Sequence, residues 1–232
     1  MRNFFLSPNT LNLFKNCPRC FWFHMVKGKS YKRPEPPTSS LPNGMDRIIK
    51  SYFDQYREKN LLPSELAKVV KGELVSQKLI DDWRYWKTGL SFIDSDGSKL
   101  IGAFDECLIS QGLYAPVDYK TRGFDLKKDS TSYYILQMSC YAFLLSKNNY
   151  KTSDKAYLIF YIPSQLVGEG KSDFKVEVRE VKTYSSQEVY SIFREALSVL
   201  QLKSPPQANP DCKFCDWAKR VVVKEQTQMK LF

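Results

Sequence analysis

Two Cys-x-x-Cys pairs stand near opposite ends of this 232-residue chain, Cys17-Pro18-Arg19-Cys20 and Cys212-Lys213-Phe214-Cys215. A Cys-x-x-Cys turn can place both thiolates on one metal centre. Two such pairs supply four ligands, enough for a tetrahedral zinc or a 4Fe-4S cluster. Bringing residues 17 and 215 together closes a very long loop, so metal binding would be coupled to folding. Cys107 and Cys140 fall on core elements and read as buried apolar thiols.

Between the pairs the pattern changes from helical to extended and back. Ser7-Pro8-Asn9-Thr10 reads as a helix start, an N-cap with proline in the first turn, and the helix carries Leu11, Leu13 and Phe14 towards Cys17 and Cys20. Residues 34–42, rich in proline and serine, read as a loop. A second helix is expected after Gly44, where Met45, Ile48, Ile49, Tyr52, Phe53 and Tyr56 recur at helical spacing. Residues 64–86 continue in helical style to Trp83, Tyr85 and Trp86. Leu90–Ile93, a turn at Asp94-Ser95-Asp96-Gly97, and Lys99–Ser110 predict a β-hairpin, with Tyr114–Thr121 as a third strand. Ser130–Ser146 predicts an amphipathic helix, followed by strands at Ala156–Ile162 and Phe174–Thr183. A last long helix spans Ser185–Leu202, capped by Ser185 or Ser186 with Glu188 nearby. The result is one domain over residues 1–232: a mainly helical part (1–88), a mixed α/β core (90–204), a cysteine segment (205–225) and a polar tail (226–232).

The hydrophobic fraction of 43% suits a globular protein, and the formal net charge of +10 favours a polyanionic partner. Basic residues cluster at Lys27, Lys29, Lys32 and Arg33, at Lys120, Arg122, Lys127 and Lys128, and at Lys219, Arg220 and Lys224. The first ten residues lack the apolar run of a secretory signal, and no window approaches the roughly 18 apolar residues of a membrane helix. A cytoplasmic protein is therefore expected, with cysteines serving as ligands or buried thiols rather than disulfides.

Gly102-Ala103-Phe104-Asp105 and Val117-Asp118-Tyr119-Lys120 place two carboxylates and a lysine at the ends of apolar runs. Asp118 and Lys120 are two apart, so on a strand they project from one face, and Asp105 on a neighbouring strand reaches that face too. Clustered oxygens hold a divalent cation, and a lysine beside it can orient water and stabilise developing charge. Glu106, next to Asp105, reads as a solvated outward side chain. Gln137 and Tyr141, four apart, share one face of the following helix.

This order, Gly102-x-x-Asp105, then Asp118-x-Lys120, then Gln137-x-x-x-Tyr141, resembles the PD-(D/E)XK nuclease superfamily and within it the RecB-like exonuclease branch. The resemblance implies a restriction-endonuclease-like mixed sheet flanked by helices, with a helical N-terminal elaboration. It implies Mg²⁺ or Mn²⁺ held by Asp105, Asp118 and the Tyr119 carbonyl, with Lys120, Gln137 and Tyr141 completing the catalytic set and Arg122, Lys127 and Lys128 holding phosphates of the substrate. The activity it implies is a DNA nuclease, an exonuclease on single-stranded or end-opened DNA in repair, recombination or CRISPR-type processing. The alternative is a catalytically weakened nuclease fold that binds DNA. RecB-like enzymes usually carry an upstream histidine ligand. Here the only histidine, His24, follows the first cysteine pair, and Asp46 in Gly44-Met45-Asp46-Arg47 is the replacement candidate, with Glu73 behind it. The CRISPR-associated exonucleases and the AddB nuclease domain staple their ends with a 4Fe-4S cluster, which makes that cluster the first expectation for Cys17, Cys20, Cys212 and Cys215. Their one-plus-three cysteine split differs from the two-plus-two split here, whose spacing makes zinc the close second. Finally, Gln228, Met229, Leu231 and Phe232 resemble the short terminal peptides that dock on a bacterial sliding clamp.

Overall fold

A computed structural model describes residues 2–28, 33 and 39–229, with side chains described as far as residue 221. After a two-residue strand β1 (Phe5–Leu6), helix α1 (Pro8–Asn16) starts at a reciprocal cap. The Thr10 N–H donates to Ser7 Oγ (3.3 Å) and the Ser7 N–H donates to Thr10 Oγ1 (2.7 Å). Cys17 ends α1 and immediately caps α2 (Pro18–Trp22), whose first residue is proline. Helix α3 (Leu41–Glu58) begins three residues before the Gly44 start that its apolar spacing suggests, because Pro42 fits its first turn.

Residues 64–86 are not continuously helical. They form α4 (Ser64–Ala67), a short strand β2 (Glu73–Leu74) and α5 (Gln77–Arg84). Gly72 explains the interruption: a Cβ there would lie 2.4 Å from the Ile109 carbonyl oxygen, so only glycine lets this segment close on its neighbouring strand.

Strands β3 (Ser91–Ile93) and β4 (Lys99–Ile101) form the expected hairpin around Gly97, which sits at φ 80°. The run Lys99–Ser110 is nevertheless broken. The chain leaves β4 at Gly102 and resumes as β5 (Glu106–Ser110) in a different sheet. Phe104 holds the crossing in place, donating its N–H to the Trp83 carbonyl (3.0 Å) and packing its ring on Trp83. A small sheet thus has order β1-β4-β3.

The main sheet adds β6 (Leu113–Thr121), β7 (Lys155–Leu166) and β8 (Ser172–Lys182) in order β2-β5-β6-β7-β8. Only β6 and β7 are parallel, and helix α6 (Ile135–Lys147) makes the crossover between them. Strand alternation sorts the side chains. Ala115, Val117 and Tyr119 on β6, with Tyr157, Ile159 and Tyr161 on β7, pack beneath Ile49 and Phe53 of α3. Leu158, Phe160 and Ile162 face the other way, into the larger core with α1, α6 and α7 (Ser186–Leu200).

Of the expected helices over 130–146 and 185–202, α6 starts only at Ile135, after a 3-10 turn at Ser132–Tyr134, and α7 ends at Leu200. α6 is buried on most of its surface, from Leu136 through Leu145, rather than amphipathic, because sheet covers one side and α1 and α7 the other. α7 takes Ser185 as its N-cap with Glu188 closing the box. The tail expected to be a polar stretch is helical, α8 (Lys213–Met229), with an Asp216–Arg220 pair one turn apart at 2.7 Å. Among the described residues, no helix is long and apolar enough to cross a membrane.

Candidate active site and cysteine centre

The register of β5 and β6 decides which acids meet. Glu106 pairs with Val117, so Asp105, one residue earlier, lies opposite Asp118, on the sheet face covered by α6. Lys120 shares that face and ion-pairs with Asp118. The Tyr119 N–H donates to Asp105 Oδ2 (3.3 Å). From α6, Gln137 Nε2 donates to Asp118 Oδ1 (3.1 Å) and to the Tyr141 hydroxyl oxygen (2.9 Å). Asp105, Asp118, Lys120, Gln137 and Tyr141 therefore form one connected cluster, as their spacing predicts.

Two small features make that cluster fit. Gly102 lies against α6: a Cβ there would meet Leu144 Cδ1 at 2.7 Å and the Tyr141 ring at 3.2 Å. Phe104 stacks on the Tyr141 ring, centroids 4.5 Å apart. The glycine of Gly-x-x-Asp is a packing requirement of the helix that carries Gln137 and Tyr141.

Electrostatics mark Asp118 as a buried carboxyl whose charge Lys120 does not fully balance. It is 1% exposed. Burial, then the charge of Asp105, push its carboxyl up to about 7 against the pull of Lys120. Its Oδ2 faces Lys120 but receives no well-aligned hydrogen bond. A buried carboxylate oxygen left this way beside a second carboxylate suits a hard divalent ion with oxygen ligands. The residues present fit Mg²⁺ or Mn²⁺.

Asp46 lies at the edge of this cluster and not within it. Its Oδ2 accepts from Lys50 Nζ (2.8 Å), and it is Lys50 that reaches Asp105 Oδ1 (3.2 Å). Sequence reasoning passed over Lys50, although its i,i+4 spacing from Asp46 on an expected helix was visible. Glu73 lies on β2, paired with Ile109, at the outer edge of the sheet.

Glu106 overturns its expected place. One residue on from Asp105, it projects to the opposite face, where α3 packs and the Arg84 side chain of α5 reaches in, so it is fully buried rather than solvated. It pairs with Arg57 and Arg84, accepts from the Tyr119 hydroxyl (3.3 Å), and is bound by the Cys107 N–H (3.0 Å). Arg57 and Arg84 also share Asp54, and Arg84 Nε donates to the Asp105 carbonyl (3.1 Å). A buried, fully paired network beneath the sheet thus grips the backbone of Asp105 and the ring of Tyr119, on either side of the acid cluster.

A cleft of about 250 Å³ opens beside Gln137 and Tyr141, walled by Ser7, Pro8, Asn9 and Trp86. The loop leaving β6 carries Arg122, with Lys127 and Lys128 exposed. The same segment presents Phe124 and Tyr133, 83% and 69% exposed, which the sequence reading did not single out.

At the far end of α1 the four cysteines meet. Cys17–Cys215 and Cys20–Cys212 sulfurs are 3.8 Å apart and Cys20–Cys215 sulfurs 3.3 Å apart, with all four within 4.8 Å of one another. Arg33 Nη2 donates to Cys212 Sγ (3.1 Å). Burial alone pushes the Cys17 thiol up, but N–H groups of Cys20 and Asn209 bring it down to about 7, and burial pushes Cys20 and Cys215 up. Four thiols packed this closely fit a metal that takes them as thiolates. Among the described residues they are the one group of three or more metal-ligating side chains this compact. Cys107 and Cys140 are buried in the core, as expected of apolar thiols. The clamp-like anchors lie outside what is described: the side chains of Gln228 and Met229, and Leu231 and Phe232 entirely.

No curated protein matches the chain. The family model that matches covers residues 5–220 and is that of the PD-(D/E)XK nuclease superfamily.

Proposed function

The chain belongs to the PD-(D/E)XK nuclease superfamily, and from that premise we propose a metal-dependent deoxyribonuclease, an exonuclease of the RecB-like kind acting on single-stranded or end-opened DNA. The observation that carries it is the hydrogen-bonded cluster of Asp105, Asp118, Lys120, Gln137 and Tyr141. In this reading Asp105, Asp118 and the Tyr119 carbonyl hold Mg²⁺ or Mn²⁺, with Asp46 at the margin. An ion held there would supply Lewis-acid polarisation of the scissile phosphate and a more acidic water. Lys120, held at Asp118, keeps an ammonium where negative charge develops. Gln137 fixes the Asp118 carboxylate and lends its remaining polar capacity to the substrate strand. Arg122, Lys127 and Lys128 hold flanking phosphates, while Phe124 and Tyr133 offer rings on which unpaired bases stack. That pairing of cations with exposed rings favours a single strand over an intact duplex.

The test is Lys120→Ala, with cleavage of a labelled single-stranded DNA and binding of the same DNA measured side by side. Cleavage lost with binding retained is expected. Undiminished cleavage overturns the assignment, and a wild type that binds but never cleaves in Mg²⁺ or Mn²⁺ makes the chain a DNA-binding module.

For the cysteine centre we read a single zinc ion. Four thiolates at 2.3 Å from one ion stand about 3.8 Å from each other, which falls among the sulfur separations here, 3.3 and 3.8 Å for three pairs and none beyond 4.8 Å. A 4Fe-4S core would hold the sulfurs farther apart. One zinc per chain without visible absorption is expected on elemental analysis, and iron with thiolate-to-iron bands would restore the cluster.

A further inference from the structure

Trp86 stands 57% exposed in the turn that follows α5. A single exposed ring is ordinary on a protein surface. The placement of this one is not. Its turn is built firmly: the N–H groups of Thr88 (3.1 Å) and Gly89 (2.7 Å) both donate to the Tyr85 carbonyl, and Thr88 Oγ1 donates to the Asp82 carbonyl (2.8 Å). Gly89 then closes on Gly102, where a Cβ at residue 89 would stand 2.8 Å from the Gly102 carbonyl oxygen. The Gly102 N–H donates to the Leu90 carbonyl (3.2 Å). The indole is thereby tied to the segment that leads into Asp105.

Together with Gly102, Gln137, Tyr141 and the start of α1, Trp86 encloses the cleft of about 250 Å³. Gln137 belongs to both places, lining the cleft and donating Nε2 to Asp118 (3.1 Å). Whatever fills the cleft therefore lies one side chain away from the acid cluster. The volume is below the roughly 300–1,000 Å³ of pockets for drug-sized ligands, so it suits one planar group and excludes a paired one. A cation accompanies the ring: Lys87 Nζ lies 5.6 Å from the Trp86 centroid and 5.8 Å from that of Tyr85. An aromatic face with a cation beside it receives an unpaired base and the phosphate attached to that base.

We propose that this cleft is a base subsite, which takes one unpaired nucleobase of the substrate strand and stacks it on Trp86. The subsite rests on the nuclease reading for the identity of its strand. It adds to that reading a demand on the substrate: the nucleotide beside the scissile phosphate must be out of its pair. Phe124 and Tyr133, on the segment between β6 and α6, serve more distant bases.

The test measures binding of the intact chain, in Ca²⁺, to two labelled DNA strands of equal length by fluorescence anisotropy. One strand is oligodeoxythymidylate and the other carries abasic sites throughout, so the phosphates are kept and the bases removed. Trp86→Ala should weaken binding of the base-bearing strand by about 5- to 150-fold, the range of one stacked base. Binding of the abasic strand should change less than about twofold. Trp86→Phe, which keeps a ring, should retain most of the wild-type preference for bases. An equal loss on both strands, or no loss on the base-bearing one, would overturn the proposal, as would a wild type that binds neither strand. If the base-selective loss is found but no form of the protein cleaves DNA in Mg²⁺ or Mn²⁺, the nuclease reading fails and the subsite stands. If cleavage is found without base-selective loss, the subsite alone fails.

Discussion

Replacing Asp118 by asparagine should stabilise the metal-free protein at alkaline pH while ending its function. The native carboxyl titrates near 7 instead of near its ordinary 3.8, a displacement of about three pH units. Between those values the native state holds a proton that the unfolded chain has released. Stability therefore falls as pH rises through that window, by up to about 4 kcal/mol at about 1.4 kcal/mol per pH unit. Asparagine carries no such penalty. Its Oδ1 still accepts from Gln137, and its amide can donate towards Asp105, but Lys120 loses its anion. Allowing for that loss, the net gain should be about 1–3 kcal/mol at pH 8 and vanish near pH 4. Urea melts followed by tryptophan fluorescence in EDTA, at both pH values, measure it. Adding Mg²⁺ should reverse the order at pH 8, because only the wild type gains from the ion. An asparagine variant no more stable than wild type at pH 8 refutes the reasoning, and so does a gain that is the same at both pH values.

Other perturbations separate the remaining parts. Glu106→Ala leaves Arg57 and Arg84 without their buried partner and should cost about 3–5 kcal/mol in urea unfolding, whereas a loss below about 1 kcal/mol would mean the network is dispensable. Gly102→Ala forces a methyl onto Leu144 and the Tyr141 ring. About 1–3 kcal/mol of stability should go, and turnover should fall more than substrate binding, as steady-state kinetics will show. Cys212→Ser should release the metal of the cysteine centre and lower the melting temperature, so full thermal stability in that variant would count against the staple.

What the sequence disclosed and what it hid follow from the range of the interactions. Capping at Ser7 and Ser185 is settled within four residues, so both helix starts were legible. The Asp118, Lys120 and Gln137, Tyr141 pairs follow from strand and helix periodicity. The break at Gly102 was not legible, because its cause is contact with Tyr141 and Leu144, some forty residues on. Glu106 was misplaced for a related reason. Its alternation relative to Asp105 was plain, but nothing local says that α3 covers the second face of the sheet and that Arg57 and Arg84 meet Glu106 there. Lys50 was hidden in the same way, since only folding brings α3 against the start of β5. The superfamily could be read from motif order, but its third ligand could not, because here the upstream helix offers a lysine as well as a carboxylate.

Helix α1 has one further consequence. Its first residues wall the cleft beside Gln137, and the residue that ends it, Cys17, belongs to the four-cysteine cluster. Nine helical residues at about 1.5 Å each form a strut of about 14 Å. The cleft is therefore braced from a distance by a joint that depends on thiolate chemistry. If those thiols hold a metal, an oxidant or chelator acting at the cysteines would loosen the wall of a cleft it never enters.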